Sequence, residues 1–188
     1  MTSSISSEPR NLVIGLGANI PSKAGDPIET LKTVRPLLED LISDWISKCS
    51  EEPLSKEKLR WRWSPLFETA PQGGPKLQPN FINAVLIVDG ENLIKIKPSK
   101  SKAIKLLNSF LLMEREFGRN REISTIRWGP RCLDIDFLSW GTLQMKEKNL
   151  TLPHPRLFER NFVAVPLGEA LNIGNTTPKR IENKPDWP

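Results

Sequence analysis

The chain has 188 residues, 38% of them hydrophobic and 26% charged, which is enough for one sizeable core and excludes a wholly disordered chain. Lys and Arg number 27 against 22 Asp and Glu, a net charge of +5. That mild excess suits an anionic small molecule and lacks the charge density of a dedicated nucleic-acid binder.

The first ten residues, 1–10, are polar and Ser-rich and read as a frayed tail without the apolar stretch of a signal peptide. Asn11–Gly17 is a short β-branched run that reads as a strand, and its Gly15-Leu16-Gly17 reads as a tight turn after that strand; no Walker loop is present. Asp26-Pro27-Ile28-Glu29 is a helix start, with Asp26 as N-cap and Pro27 in the first helical position. Apolar residues then recur at helical spacing from Ile28 to Trp45. Pro36 lies inside that pattern and predicts a kink or break near Arg35.

Residues 48–62 are charged, lack a period and read as a loop or an extension of what precedes Trp63. Ser64–Thr69 is strand-like. Ala70–Asn80, with three prolines and two glycines, is a long irregular loop of the kind that often carries function. Phe81–Asp89 is a strong strand. Ser101–Phe117 is an amphipathic helix stopped by Gly118. Residues 119–131 form a polar loop with four arginines and Trp128, and Cys132–Trp140 is a strand ended by Gly141. A hairpin-like segment leads to Leu150-Thr151-Leu152 and Pro153-His154-Pro155, and a last short element begins at Arg160.

The order β-α-β-β-α-β predicts an α+β sandwich with helices over one face of a largely antiparallel sheet. One domain is expected over 11–171, followed by a loosely held tail over 172–188. Cys49 and Cys132 form no CxxC pair and read as reduced thiols, and the longest apolar stretch, Phe81–Val88, is too short to span a bilayer. A cytoplasmic protein without a membrane partner is the expectation.

The sharpest chemical feature is Asp134-Ile135-Asp136. Side chains alternate along a strand, so the two carboxylates share a face with Cα atoms about 6–7 Å apart. They repel unless a cation relieves them, and hard oxygen ligands of this kind suit Mg²⁺ with substrate phosphates. For a bare DxD, two solvent-facing aspartates are the plainer reading. The context adds Arg119, Arg121, Arg127 and Arg131, whose guanidinium forks bind phosphate oxygens and never lose their charge. The same arginines could instead pair with Glu114, Glu116 and Glu122. His154, the only histidine, is held between prolines and is either structural or a donor to phosphate. Phe81 and Asn83 share a strand face, where a ring can stack on a flat heterocycle and an amide can read its edge; a core Phe and a turn Asn are the plainer alternatives.

These stretches together resemble the 6-hydroxymethyl-7,8-dihydropterin pyrophosphokinase family of folate biosynthesis. The matching segments are IGLGAN (14–19), ETAPQGG (68–74), QPNFINAV (78–85), GRNR (118–121), RWGPRCLDIDFLSWG (127–141) and LPHPRLFERNFVAVPL (152–167). The resemblance implies a ferredoxin-like fold and a monomer acting on small molecules, without nucleic acid. It implies transfer of pyrophosphate from ATP to the pterin hydroxymethyl oxygen, with AMP released. Asp134 and Asp136 are implied to hold two Mg²⁺ ions, and Arg119 and Arg131 to clamp the transferring phosphates. Arg121, His154 and Arg160 are implied to contact ATP, with Thr151 lining the adenosine pocket. Phe81 and Phe162 are implied to sandwich the pterin, Asn83 and Thr69 to read its edge, and Trp128 and Glu114 to support the site. The chain departs from the family pattern at Ala18, Ala70 and Gln72, and in having no Tyr at all.

Two other functions share some of these features. A DxD metal-dependent glycosyltransferase would hold nucleotide-sugar phosphates in the same way, but the chain is short and shows no sugar pocket. An RNA-binding α+β module would use the basic loop and exposed aromatics, but paired aspartates would repel its ligand. An inactive relative is a further alternative, against which the intact Asp134, Asp136 and Arg131 argue.

Overall fold

A computed structural model describes residues 10–51, 53–54, 59–120, 128–155, 157, 179–180 and 187. The first apolar run forms β1 (Leu12–Ala18), which lies inside the sheet between β4 (Phe81–Asp89) and β5 (Asp134–Trp140), antiparallel to both. The outer side of β4 pairs with two short strands, β2 (Arg60–Trp63) near its C-terminal end and β3 (Phe67–Thr69) near its N-terminal end. Between them Ser64 bends the chain without leaving β4 unsatisfied. Its backbone N–H donates to the Val85 carbonyl at 2.8 Å, and its Oγ accepts from the Val85 N–H at 2.9 Å. Taken together β2 and β3 behave as one interrupted strand, so the sheet has the antiparallel order of a ferredoxin-like α+β sandwich.

Both long helices cover one face of this sheet. Asp26 caps α1 (Pro27–Cys49) by accepting from the Ile28 and Glu29 N–H groups at 2.8 and 3.0 Å. The expected break at Pro36 does not occur, and the helix runs unbroken for 23 residues. Pro36 faces solvent, where water can meet the carbonyl it strands. A proline inside a helix costs about 3 kcal/mol, while each fully buried aliphatic side chain contributes roughly 1.5–3 kcal/mol. Leu31, Val34, Leu38 and Ile42 are all fully buried on the opposite side, so continuing the helix wins. A short α2 (Glu91–Lys95), for which the sequence reading had no element, follows β4. The second long helix, α3 (Lys100–Glu116), ends at Gly118, whose φ of 99° is left-handed as expected of its stop signal.

The core lies between these helices and the even-numbered residues of β1 and β4: Leu12, Ile14 and Leu16 with Ala84, Leu86 and Val88. On β5 the alternation is Ile135 and Phe137 inward, Asp134 and Asp136 to the other face. A register shift between β1 and β5 then re-aims the end of the strand, so Trp140 also turns into the core. There it meets Trp45 edge-on at 5.0 Å, and the Trp45 indole N–H donates to the Lys102 carbonyl at 3.1 Å, tying β5, α1 and α3 together. After β5 a small ribbon of β6 (Met145–Lys146) and β7 (Thr151–Leu152) leads to His154, whose N–H donates to the Leu138 carbonyl at 2.7 Å. Finally β8 (Lys179–Arg180) pairs with β3, and Trp187 packs against the core. Two points of the segment expected to be loosely held are therefore attached to the sheet. No helix among the described residues is long and apolar enough to cross a membrane.

Candidate active site

The sheet face away from the helices carries a cleft. Its floor is built by the odd residues of β1 and β4 and by the two aspartates of β5: Gly15, Gly17, Phe81, Asn83, Val85, Asp134 and Asp136 all line it. The glycines do not form the turn expected of them. Both sit within β1, and at Gly17 the service is space. A Cβ on Gly17 would lie 3.0 Å from Asn83 Oδ1, and one on Gly15 would lie 3.4 Å from Leu138 and 3.7 Å from the Asp136 Cβ. Bare backbone at Gly17 thus lets the Asn83 side chain lie low across β1, while a Cβ on Gly15 would make ordinary contacts.

At one end of the floor the charged groups gather. Asp134 accepts from the Arg119 guanidinium through one carboxylate oxygen and from the Arg131 guanidinium through the other. Glu114, 1% exposed, holds this arrangement from below: it accepts from Arg119 Nη1 at 2.8 Å and from the Ile135 backbone N–H at 2.8 Å. Arg119 also donates to the Leu133 carbonyl at 3.2 Å. Burial alone would lower the Arg119 pKa, but the charges of Asp134 and Glu114 outweigh it and raise it. Asp136 makes no hydrogen bond or ion pair among the described residues. Burial first, and then the charge of Asp134, push its carboxyl up to about 7.

The other end of the cleft is neutral. Phe81 lies in it half-buried, with the Arg131 guanidinium 5.5 Å from its ring centre. Asn83 is buried and donates from Nδ2 to the Thr69 hydroxyl at 2.8 Å, leaving its Oδ1 toward the Gly17 backbone. The loop 70–80 and the Trp128 segment form the rim. Trp128 has a positive φ of 59° and lies so near the loop that a Cβ on Gly73 would approach its ring to 2.8 Å. Gln78 donates to the Gly73 carbonyl at 2.9 Å and to the Trp128 carbonyl at 3.1 Å, closing the two rims on each other.

Asn19 braces both rims. Buried at the end of β1, it accepts from the Arg131 N–H through Oδ1 at 2.8 Å, while its own N–H donates to the Arg131 carbonyl at 2.9 Å. Its Nδ2 donates to the Pro79 carbonyl at 3.0 Å and to Gln78 at 3.3 Å. The only sequence signal was its place in the IGLGAN stretch. An Asn that serves two segments about 60 and 112 positions away has no local pattern to betray it.

The structure therefore brings together Thr69, Phe81, Asn83, Arg119, Trp128, Arg131, Asp134 and Asp136. Thr151 and His154 lie on the segment packed beside β5 and do not line the cleft formed by the described residues. Arg121, Arg160 and Phe162, the other expected contacts, lie outside the described residues. No group of three or more His, Cys, Asp or Glu able to hold a metal occurs among the described residues. The pair Asp134 and Asp136 nonetheless fits a Mg²⁺ ion that takes one or two carboxylates and completes its shell with water and phosphate. The Asp136 carboxyl is raised chiefly by burial and then by the charge of Asp134 beside it, and a divalent cation at the pair would offset both.

The fold is a ferredoxin-like α+β sandwich whose one face carries paired carboxylates, two guanidiniums and a neutral recess. The comparisons with known proteins give this arrangement its family. Residues 13–172 match the family described as 7,8-dihydro-6-hydroxymethylpterin-pyrophosphokinase (HPPK), and the chain belongs to that family. It is 37% identical over 156 residues to the 2-amino-4-hydroxy-6-hydroxymethyldihydropteridine pyrophosphokinase of Bacillus subtilis, covering 83% of this chain and 75% of that protein. It is 32% identical over 157 residues to the protein of the same name from Synechocystis, covering 84% of this chain and 64% of that one. A 38% identical stretch of 110 residues aligns with the mitochondrial folate synthesis bifunctional protein of Arabidopsis thaliana, over 58% of this chain and 18% of the relative. The chain thus spans less than two thirds of the length of several curated relatives it matches.

Proposed function

We propose that this chain is an ATP-dependent pyrophosphokinase. It transfers the terminal pyrophosphoryl group of ATP to the hydroxymethyl oxygen of 6-hydroxymethyl-7,8-dihydropterin. The hydroxyl oxygen bonds to the β-phosphorus, the bond from that phosphorus to the oxygen of the α-phosphate breaks, AMP leaves, and the hydroxyl proton passes to solvent. The observation that carries the reading is the cleft itself: Asp134 and Asp136 beside Arg119 and Arg131 at one end, Phe81, Asn83 and Thr69 at the other, in a chain of this family.

The pterin stacks on Phe81, with Phe162 as the opposing ring. Asn83, oriented by its bond to Thr69, reads the heterocycle's edge. Asp134 and Asp136 would hold Mg²⁺, two ions in the full complex, and the metal would supply neutralisation of phosphate charge and a lowered pKa for a hydroxyl bound to it. Arg119 and Arg131 spend the substrate-free state on Asp134. In the complex the same guanidiniums turn to phosphate oxygens, exchanging one anion for another at little cost, because the charge balance of the site is kept. Glu114 holds Arg119 against β5, and Asn19 holds Arg131 by its backbone, so both guanidiniums start near their targets. Transfer of this kind depends on positioning and charge neutralisation more than on covalent help from the protein. Arg121, Thr151, His154 and Arg160 complete the nucleotide's contacts, and Trp128 with the loop 70–80 covers the pterin and excludes water. The enzyme acts as a cytoplasmic monomer.

The test is an AMP-release assay with ATP, Mg²⁺ and the hydroxymethyldihydropterin. AMP should form only when pterin and metal are both present. No AMP across divalent metals and pH would overturn the reading.

A further inference from the structure

The family match ends at residue 172, yet the chain returns to the sheet after it. Two contacts define the return. Lys179–Arg180 adds a strand to β3, with Lys179 opposite Glu68 and Arg180 opposite Phe67. Trp187 donates its indole N–H to the Ser64 carbonyl at 2.9 Å and meets Trp63 edge-on at 5.2 Å. The Arg35 guanidinium lies 5.7 Å from the Trp63 ring centre and 5.5 Å from that of Trp187, serving both aromatic faces from α1. Glu39 holds this corner by accepting from the Trp63 indole at 2.7 Å and pairing with Arg35 at 3.4 Å.

One contact falls on the interruption between β2 and β3, at Ser64, and the other on β3 itself. Ser64 is where the chain bends, and Phe67–Thr69 is the three-residue strand that follows. So short a strand, paired only with β4, would be a frayed sheet edge; β8 makes it an inner strand. Its last residue, Thr69, carries the hydroxyl that receives Asn83 Nδ2, and the next residue opens the loop that rims the cleft.

We propose that Lys179–Arg180 and Trp187, beyond the family match, act as a strap: by gripping Ser64 and β3 they fix Thr69, and through it Asn83, in the conformation that reads the pterin edge. The role is one of positioning, and its catalytic consequence rests on the function proposed above. Because the strap sits at the neutral end of the cleft, its loss falls on the pterin and spares the nucleotide.

The experiment compares the full chain with a deletion of residues 179–188 and with Trp187→Ala, the milder variant should the deletion fail to fold. Steady-state kinetics are measured for each substrate, and hydrogen–deuterium exchange follows the segment 64–70. The deletion should raise KM for the pterin about tenfold with KM for ATP within about twofold, and Trp187→Ala should do the same to a smaller degree. Exchange over 64–70 should quicken about tenfold while β1 keeps its protection. A synthetic peptide of residues 173–188 added in trans should restore part of both. Unchanged pterin KM and unchanged exchange would overturn the proposal. So would a uniform change in both KM values with faster exchange everywhere, which is the signature of general destabilisation. Absence of turnover in the full chain would count against the proposed function alone, and the exchange measurement would still decide whether the strap holds β3.

Discussion

The two ends of the cleft are built by different means. The charged end draws on residues between Glu114 and Asp136, close in sequence, with Glu114, Arg119, Arg131 and Asp134 locked by ion pairs. The neutral end gathers Gly17, Thr69, Phe81 and Asn83 across three strands and relies on shape and single hydrogen bonds. Charge acts over several ångströms and tolerates small errors of position; a stacking recess beside an amide does not. The charged end should therefore govern the rate of the chemical step, and the neutral end the choice and affinity of the pterin.

The largest effect expected from breaking this division is at Asp136. Asp136→Ala should lower kcat by about a thousandfold or more, as removal of a metal ligand does, while circular dichroism shows the fold intact. Residual Mg²⁺-dependent turnover near the original rate would remove Asp136 from the metal site. Next comes Arg131→Ala, for which kcat should fall about 100- to 1,000-fold while ATP affinity changes by less than about tenfold, because a phosphate clamp matters most where charge is moving. Equal losses in both would make it a simple binding residue.

Asn19→Ala probes the brace between the two rims. Removing it strands the Arg131 N–H and the Pro79 carbonyl, at roughly 1–3 kcal/mol, so kcat/KM should drop about 5- to 150-fold without touching either substrate directly. A gentler perturbation is Gly17→Ala. Its Cβ would press on Asn83 Oδ1 at 3.0 Å, so pterin KM should rise about tenfold with kcat nearly preserved. A fall in kcat with KM unchanged would place Gly17 at the chemistry and not at recognition.

Acidity sharpens the same contrast. The Asp136 carboxyl is raised to about 7 in the fold, above its ordinary value of 3.8. In the metal-free protein the folded state therefore holds a proton that the unfolded state has lost, and stability falls as pH rises from about 4 to about 7. Asp136→Asn should make the metal-free protein more resistant to denaturant by about 1–2 kcal/mol at pH 8, with the advantage gone near pH 4. Metal must displace that proton, so apparent Mg²⁺ affinity should weaken as pH drops below 7.

Legibility in the sequence followed the range of the interactions. β4 was readable to its ends because eight buried residues follow Phe81 without a break, and α1 was readable at its start because Asp26, Pro27 and Glu29 act within one turn. The DxD face was readable because alternation is local. The failures are places where distant contacts overrule a local rule. Pro36 reads as a breaker, but the buried stripe on the other side of α1 decides the matter. Gly15 and Gly17 read as a turn, although both lie inside β1 and Gly17 answers to the bulk of Asn83 on the neighbouring strand. The return of the chain at β8 depends on pairing with a strand more than a hundred residues earlier, and a polar, Pro-rich tail offers no sign of it.

The most direct test of the central claim is metal binding in the presence of nucleotide. Mn²⁺ can stand in for Mg²⁺ and be followed by its paramagnetic resonance, with an ATP analogue whose α,β-bridge cannot be cleaved. The wild-type chain should sequester Mn²⁺ with the analogue bound, and the Asp134→Asn, Asp136→Asn double variant should bind the analogue weakly and sequester almost none. Equal metal uptake by the two proteins would contradict the account at its foundation.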